Sequence, residues 1–285
     1  MSDRASLRLF RGHPFHHAAA VLVALALVAP AGAGAQVLAQ AVPSRYDLEL
    51  APGRRDTRPL FLHNLGRESV KISLRLADLR MSERGELDLH PPGTLGSTLL
   101  GVVEVPGGEL LLQPGEKRTL PLKITMPGDG LATRCGVVLC RVTSAEPHEA
   151  VSVPSTPAEL GTTLFLTRAD RSSISADMVS LETSVNAAGR VAVDVRVRNL
   201  SSRHAPCSGE VKLVGATGAP VLTGFLSDGV VLPGADRIFD WRSETGLPPG
   251  RYVMTVTVDV GVPELLVGQK DIVVGRRGPR AARSE

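Results

Sequence analysis

Beyond residue 35 the chain alternates apolar and polar positions with a period of two. "VKISLRLADL" sets Val70, Ile72, Leu74 and Leu76 on one face and Lys71, Ser73 and Arg75 on the other. "RVAVDVRVRN" does the same with Val191, Val193, Val195 and Val197, and "YVMTVTVDV" with Val256 and Val258. Successive side chains of a strand point to opposite faces, so this spacing predicts half-buried antiparallel strands. Clusters of Gly, Pro, Asn and Asp separate the strands: "HNLG", "HPPG", "QPGE", "MPGDG", "LPGAD", "LPPG". Turn signals at this density, with almost no helical periodicity, predict an all-β chain of two tandem immunoglobulin-like antiparallel β-sandwich domains. "SADMVSLETSV" fits a short helix or a strand, and is read as a strand.

Two stretches are near twins, "DLELAPGRRDTRPLFL" (47–62) and "ELLLQPGEKRTLPLKI" (109–124). In each, a strand ends at a Pro-Gly corner: Pro fixes φ, Gly supplies a positive φ, and the next strand begins with Thr, Pro and Leu. Corners of the same make are expected at "VLPGADRIF" and "GLPPGRYVM". A device repeated in four strand contexts reads as architecture, not chemistry.

A chain of 285 residues suits two domains better than one. Residues 1–35 read as a secretory signal: a leader with Arg4, Arg8 and Arg11, then "AAAVLVALALVAPAGAGAQ" with a small-residue cleavage site at Ala33-Gly34-Ala35. An uncleaved anchor is the alternative, but the apolar run falls short of the ~20 residues that span a bilayer. The expected division is a signal peptide over 1–35, a first sandwich over 36–168, a second over 169–275, and a disordered basic tail over 276–285. The implied location is periplasmic or extracellular.

Charge narrows the function classes. The leader carries three Arg and one Asp, the tail four Arg and one Glu; removing them from 32 basic and 29 acidic residues leaves 25 and 27. The part that folds is near neutral, with its charges interspersed, so nucleic acid is not an expected partner. The tail could touch an acidic cell envelope or lie free in solvent.

Catalytic groups do not converge in the sequence. His63, His90, His148 and His204 lie far apart in expected surface loops without metal-ligand spacing, and no Gly-x-Ser-x-Gly elbow or phosphate-cradling loop occurs. The chain is read as non-enzymatic, with no cofactor and no metal. Phe239 and Trp241 are expected to fill the second core, and Tyr252 to bond a corner backbone. Cys135 and Cys140 share one strand; five steps of ~3.3 Å separate them by about 16 Å on opposite faces, too far for a mutual disulfide. A bridge from one of them to Cys207 stays open, beside a reading of two buried thiols and one exposed.

"RYDLELAPGRRDTRPLFLHNLGRESVKISLRLADL", then "LLLQPGEKRTLPLKITMPGDG", "RCGVVLCRVTSAEP", a long loop and "LGTTLFLTR" together resemble the N-terminal domain of the periplasmic pilus-assembly (PapD-like) chaperones. The layout is also similar to cell-wall-binding modules of Gram-positive surface proteins. The chaperone resemblance implies that the last strand of the first domain binds another exported polypeptide by β-strand addition. On "ELGTTLFLTR" it points to Leu160, Thr162, Leu164 and Leu166. Arg45 falls where the family's first carboxylate-anchoring arginine lies. The second anchor, a Lys in the family, is replaced by Thr163, which leaves Arg168 as the alternative. The expected function is a chaperone-like role in envelope or surface-fibre assembly. The second reading is an adhesive module binding peptidoglycan or glycan.

Overall fold

The computed structural model describes residues 10–11, 38–145, 157–171 and 173–275. Most of the expected signal peptide, His148 and the basic tail lie outside these residues. The chain divides into two compact units. Of the described residues, the N-terminal unit comprises 38–80, 88–145 and 157–171, and the C-terminal unit 10–11, 81–87 and 173–275.

The N-terminal unit is a sandwich of two sheets. One has the order β2 (Ala39–Val42), β4 (Arg55–Asn64), β9 (Lys117–Thr125), β7 (Val103–Glu104). The other runs β3 (Arg45–Leu50), β11 (Ala158–Arg168), β10 (Thr133–Ser144), β5 (Val70–Met81), β6 (Leu87–His90), with β8 (Glu109–Leu112) also on β5. Alternation supplies the core between them. Leu60 and Leu62 of β4 and Leu120, Leu122 and Ile124 of β9 meet Val70 and Ile72 of β5, Val138, Cys140 and Val142 of β10, and Leu48 and Leu50 of β3.

The C-terminal unit is built alike. β12 (Ala176–Val185), β13 (Val191–Asn199) and β16 (Asp236–Arg242) form one sheet. The other has the order β18 (Glu264–Val274), β17 (Gly250–Asp259), β14 (Ala205–Val214), β15 (Pro220–Val231), with β1 (Phe10–Arg11) on β18. Val193, Val195, Val197 and Phe239 pack against Val211, Leu213, Met254, Val256 and Ile272, and Trp241 lies half-buried beside them. The ambiguous "SADMVSLETSV" segment is strand β12, bulged between Met178 and Ser180. Both units are immunoglobulin-like β-sandwiches.

Three of the four expected corners share one geometry. Gly53, Gly115 and Gly234 have φ of +75°, +72° and +68°, and amide-to-carbonyl bonds close the turns Ala51–Arg54, Gln113–Glu116 and Leu232–Ala235 at 3.0, 3.0 and 3.1 Å. The fourth differs: Gly250 opens β17 without a positive φ. There the Tyr252 hydroxyl donates to the Pro248 carbonyl at 2.8 Å, the backbone bond expected of that tyrosine.

Candidate functional site

Strand order decides where another strand could be added. β11 pairs antiparallel with β10, from Ala158 opposite Val142 to Thr167 opposite Thr133. On its other side β3 runs parallel, but only from Thr163 opposite Arg45 to Arg168 opposite Leu50. Among the described residues, Ala158–Thr162 therefore has a hydrogen-bonded strand neighbour on the β10 side alone.

The cause is local. β2 belongs to the opposite sheet, paired with β4 from Ala39–Asn64 to Val42–Phe61, and the chain changes sheets at Pro43 and Ser44. Pro43 has no amide to give either ladder. Its carbonyl accepts from the Thr162 hydroxyl at 2.7 Å, and the Ser44 carbonyl accepts from the Thr163 amide at 2.9 Å. Amide direction alternates along a strand, so the Glu159 and Gly161 amides point the same way as that of Thr163. With β3 not yet begun, they point out of the sheet.

The expected strand-edge residues divide. Leu160 is half-buried against the N-terminal core, and Thr162, Leu164 and Leu166 are fully buried. Leu164 and Leu166 lie where β11 has strands on both sides. The edge is thus shorter than the sequence suggests, and only Leu160 and Thr162 of the four lie on it. Alternation along "ELGTTLFLTR" gives the face each residue occupies but not which strand lies alongside.

The two expected anchors are not brought together. Arg45 sits opposite Thr163 and Arg168 opposite Leu50, five residues apart and so about 16 Å along the sheet. Arg45 stacks its guanidinium 4.9 Å from the centre of the Phe165 ring, with Nε 2.6 Å from Asp47 Oδ2. Arg168 donates through Nε and Nη2 to the two Asp170 oxygens at 3.0 and 2.7 Å. That forked pair raises the Arg168 pKa and holds the Asp170 carboxyl below its ordinary range. Each arginine already faces a carboxylate of its own chain.

The outer face of this sheet is also apolar. Val137, Leu139 and Phe165 are nearly inaccessible, although none belongs to the core between the sheets. Arg75, Leu139 and Gly161 form one row across three strands. Arg75 reaches diagonally to Glu159 at 3.2 Å, so its apolar stem crosses the strand that carries Leu139. Gly161 is exposed in this row; a Cβ there would lie 3.2 Å from Val137 Cγ1 and 3.7 Å from Leu139 Cδ2.

All three cysteines are free and buried, so the exposed thiol envisaged from the sequence does not occur. Burial pushes the Cys140 thiol up to about 11 and the Cys207 thiol up to about 12. His204 is likewise buried rather than exposed. His63 lies on β4, and His90 pairs with Asp88 at 2.9 Å. Among the described residues no group of three His, Cys, Asp or Glu side chains is placed to hold a metal ion, and no helix is long and apolar enough to cross a membrane.

No protein-family model and no curated protein matches this chain. Among solved structures it is similar to the class 5 fimbriae chaperone CfaA, at 11% identity over 82% of this chain and 99% of that one, with a TM-score of 0.43. The E. coli chaperone DraB is 13% identical over 84% of this chain and 98% of its own, with a TM-score of 0.40. The PapD-like domain of human CEP192 is 16% identical over 52% of this chain and 96% of its own, with a TM-score of 0.34. The likeness is one of fold. The sandwich assignment itself rests on the ladders and cores described above.

Proposed function

We propose that this chain is an exported, non-enzymatic, chaperone-like protein of envelope or surface-fibre assembly, acting in the periplasm or outside the cell. It captures another exported polypeptide by adding a strand of that partner to β11 at Ala158–Thr162. The observation that carries this reading is the sheet change at Pro43–Ser44, which leaves the outward amides of Glu159 and Gly161 without a ladder partner among the described residues, although β2 passes near β11. An edge of this kind is a template for an extended chain: main-chain bonds give affinity and alternate side chains give register. Glu159, the one charged residue there, is already paired with Arg75.

Gly161→Pro tests the edge, because it removes one outward amide while the bonds to β10 stay in place; proline is tolerated on edge strands. Tagged protein is used to recover its partner from periplasmic extract, with folding followed by circular dichroism. The variant is expected to recover at least about tenfold less partner, since loss of a buried interfacial hydrogen bond is combined with a steric block. Equal recovery by a folded variant removes strand addition at this edge. Glu159→Pro, which removes the other outward amide, is expected to behave the same way.

A further inference from the structure

The edge segment carries a glycine in the middle of a strand, and its surroundings indicate what it receives. Glycine weakens a strand interior and marks places where another chain comes close. Gly161 is exposed, and a Cβ there would press on Val137 Cγ1 at 3.2 Å and touch Leu139 Cδ2 at 3.7 Å. Its two neighbours on the same face are both engaged: Glu159 is drawn to Arg75 at 3.2 Å, and Thr163 sits opposite Arg45, which stacks on Phe165. The exposed backbone of Gly161 is thus bordered on the β10 side by Val137 and Leu139, with Arg75 drawn toward Glu159 and Arg45 beside Thr163.

A flat aromatic ring reaches across a glycine on the neighbouring strand, covers the exposed backbone, and offers its electron-rich faces to flanking guanidinium groups. We infer that the captured segment places an aromatic side chain over Gly161. This deepens the strand-addition reading and rests on it, because it names the chemistry of the partner at that same edge.

The test uses two synthetic peptides and the full chain. One probe alternates valine and threonine over seven residues with phenylalanine in place of the central threonine; the other has alanine there. Binding is measured by fluorescence anisotropy on wild type and on Gly161→Val, with melting followed to show that the variant is folded. The phenylalanine probe is expected to bind wild type about fivefold more tightly than the alanine probe, and Gly161→Val is expected to abolish that preference. Equal binding of the two probes to wild type overturns the aromatic inference and leaves strand addition standing. Failure of both probes to bind overturns strand addition, and this inference with it. Because the comparison of probes is made on wild type, an unfolded variant does not obscure the outcome.

Discussion

Asn64 and Asn199 end equivalent strands, β4 and β13, and each uses its side chain mainly on backbone, Asn199 also accepting from the Ser201 hydroxyl at 2.5 Å. The Asn64 amide nitrogen donates to the Glu68 carbonyl at 2.8 Å and is shared between the Leu112 and Gln113 carbonyls at 3.1 Å, while its oxygen accepts from the Gly66 amide at 2.9 Å. Asn199 donates to the Arg203 and Val231 carbonyls at 2.7 and 2.9 Å and accepts from the Ser201 amide at 2.9 Å. Their own amides donate at 3.0 Å to Glu116 and Ala235, the residues that close the Pro-Gly corners. Both side chains are fully buried, so truncation strands several carbonyls and amides away from water. Asn64→Ala and Asn199→Ala are each expected to cost about 2–4 kcal/mol, seen as a fall in the urea midpoint with little change in slope. A loss under about 1 kcal/mol would mean that water satisfies the orphaned groups.

At the scale of elements, the Gln113–Glu116 corner carries a charge that the Leu232–Ala235 corner lacks. Glu116 accepts from the Gln113 amide at 2.8 Å and from Arg118; these bonds, the backbone one first, hold its carboxyl below the ordinary glutamate value of 4.5. A depressed folded pKa contributes stability above the unfolded value and loses it as pH falls through the folded one. Glu116→Gln removes that titration while keeping an acceptor. The advantage of wild type over the variant is expected to be constant above about pH 5, to shrink below the glutamate value and to vanish at the acid end, read from urea midpoints against pH. An advantage that does not change with pH would show that the corner does not sense this charge. Strands and corners of this kind were legible in the sequence because period two and Pro-Gly are local signals. The asparagine plugs were half legible, as strands ending "LHN" and "VRN", but the carbonyls they bind come from 48 and 32 residues away. The span of the β11 edge was not legible. It depends on β3, more than a hundred residues earlier, lying alongside from Thr163 onward, and alternation holds no information about neighbours. The burial of Cys207 and His204 was hidden for the same reason.

Across the whole molecule, the basic character sits at the ends of the chain. Residues 36–275 hold 25 basic and 27 acidic groups, and adding the tail's four Arg and one Glu brings the counts to 29 and 28. A sequence pI near 9.0 therefore describes the leader and tail more than the sandwiches. Polybasic segments are drawn to anionic surfaces by about 1 kcal/mol per residue close to the surface, and salt screens the attraction within roughly a nanometre. The protein comprising residues 36–285 is expected to show weak binding to anionic phospholipid vesicles that disappears at high salt. The protein comprising residues 36–275 is expected to show none at any salt and to focus below pH 7. Strand addition follows the opposite rule, since its main-chain bonds and apolar contacts are little affected by ionic strength. Partner recovery should therefore survive both the tail deletion and high salt. If recovery fell with salt in step with vesicle binding, the capture would be electrostatic and would belong to the tail, not to β11.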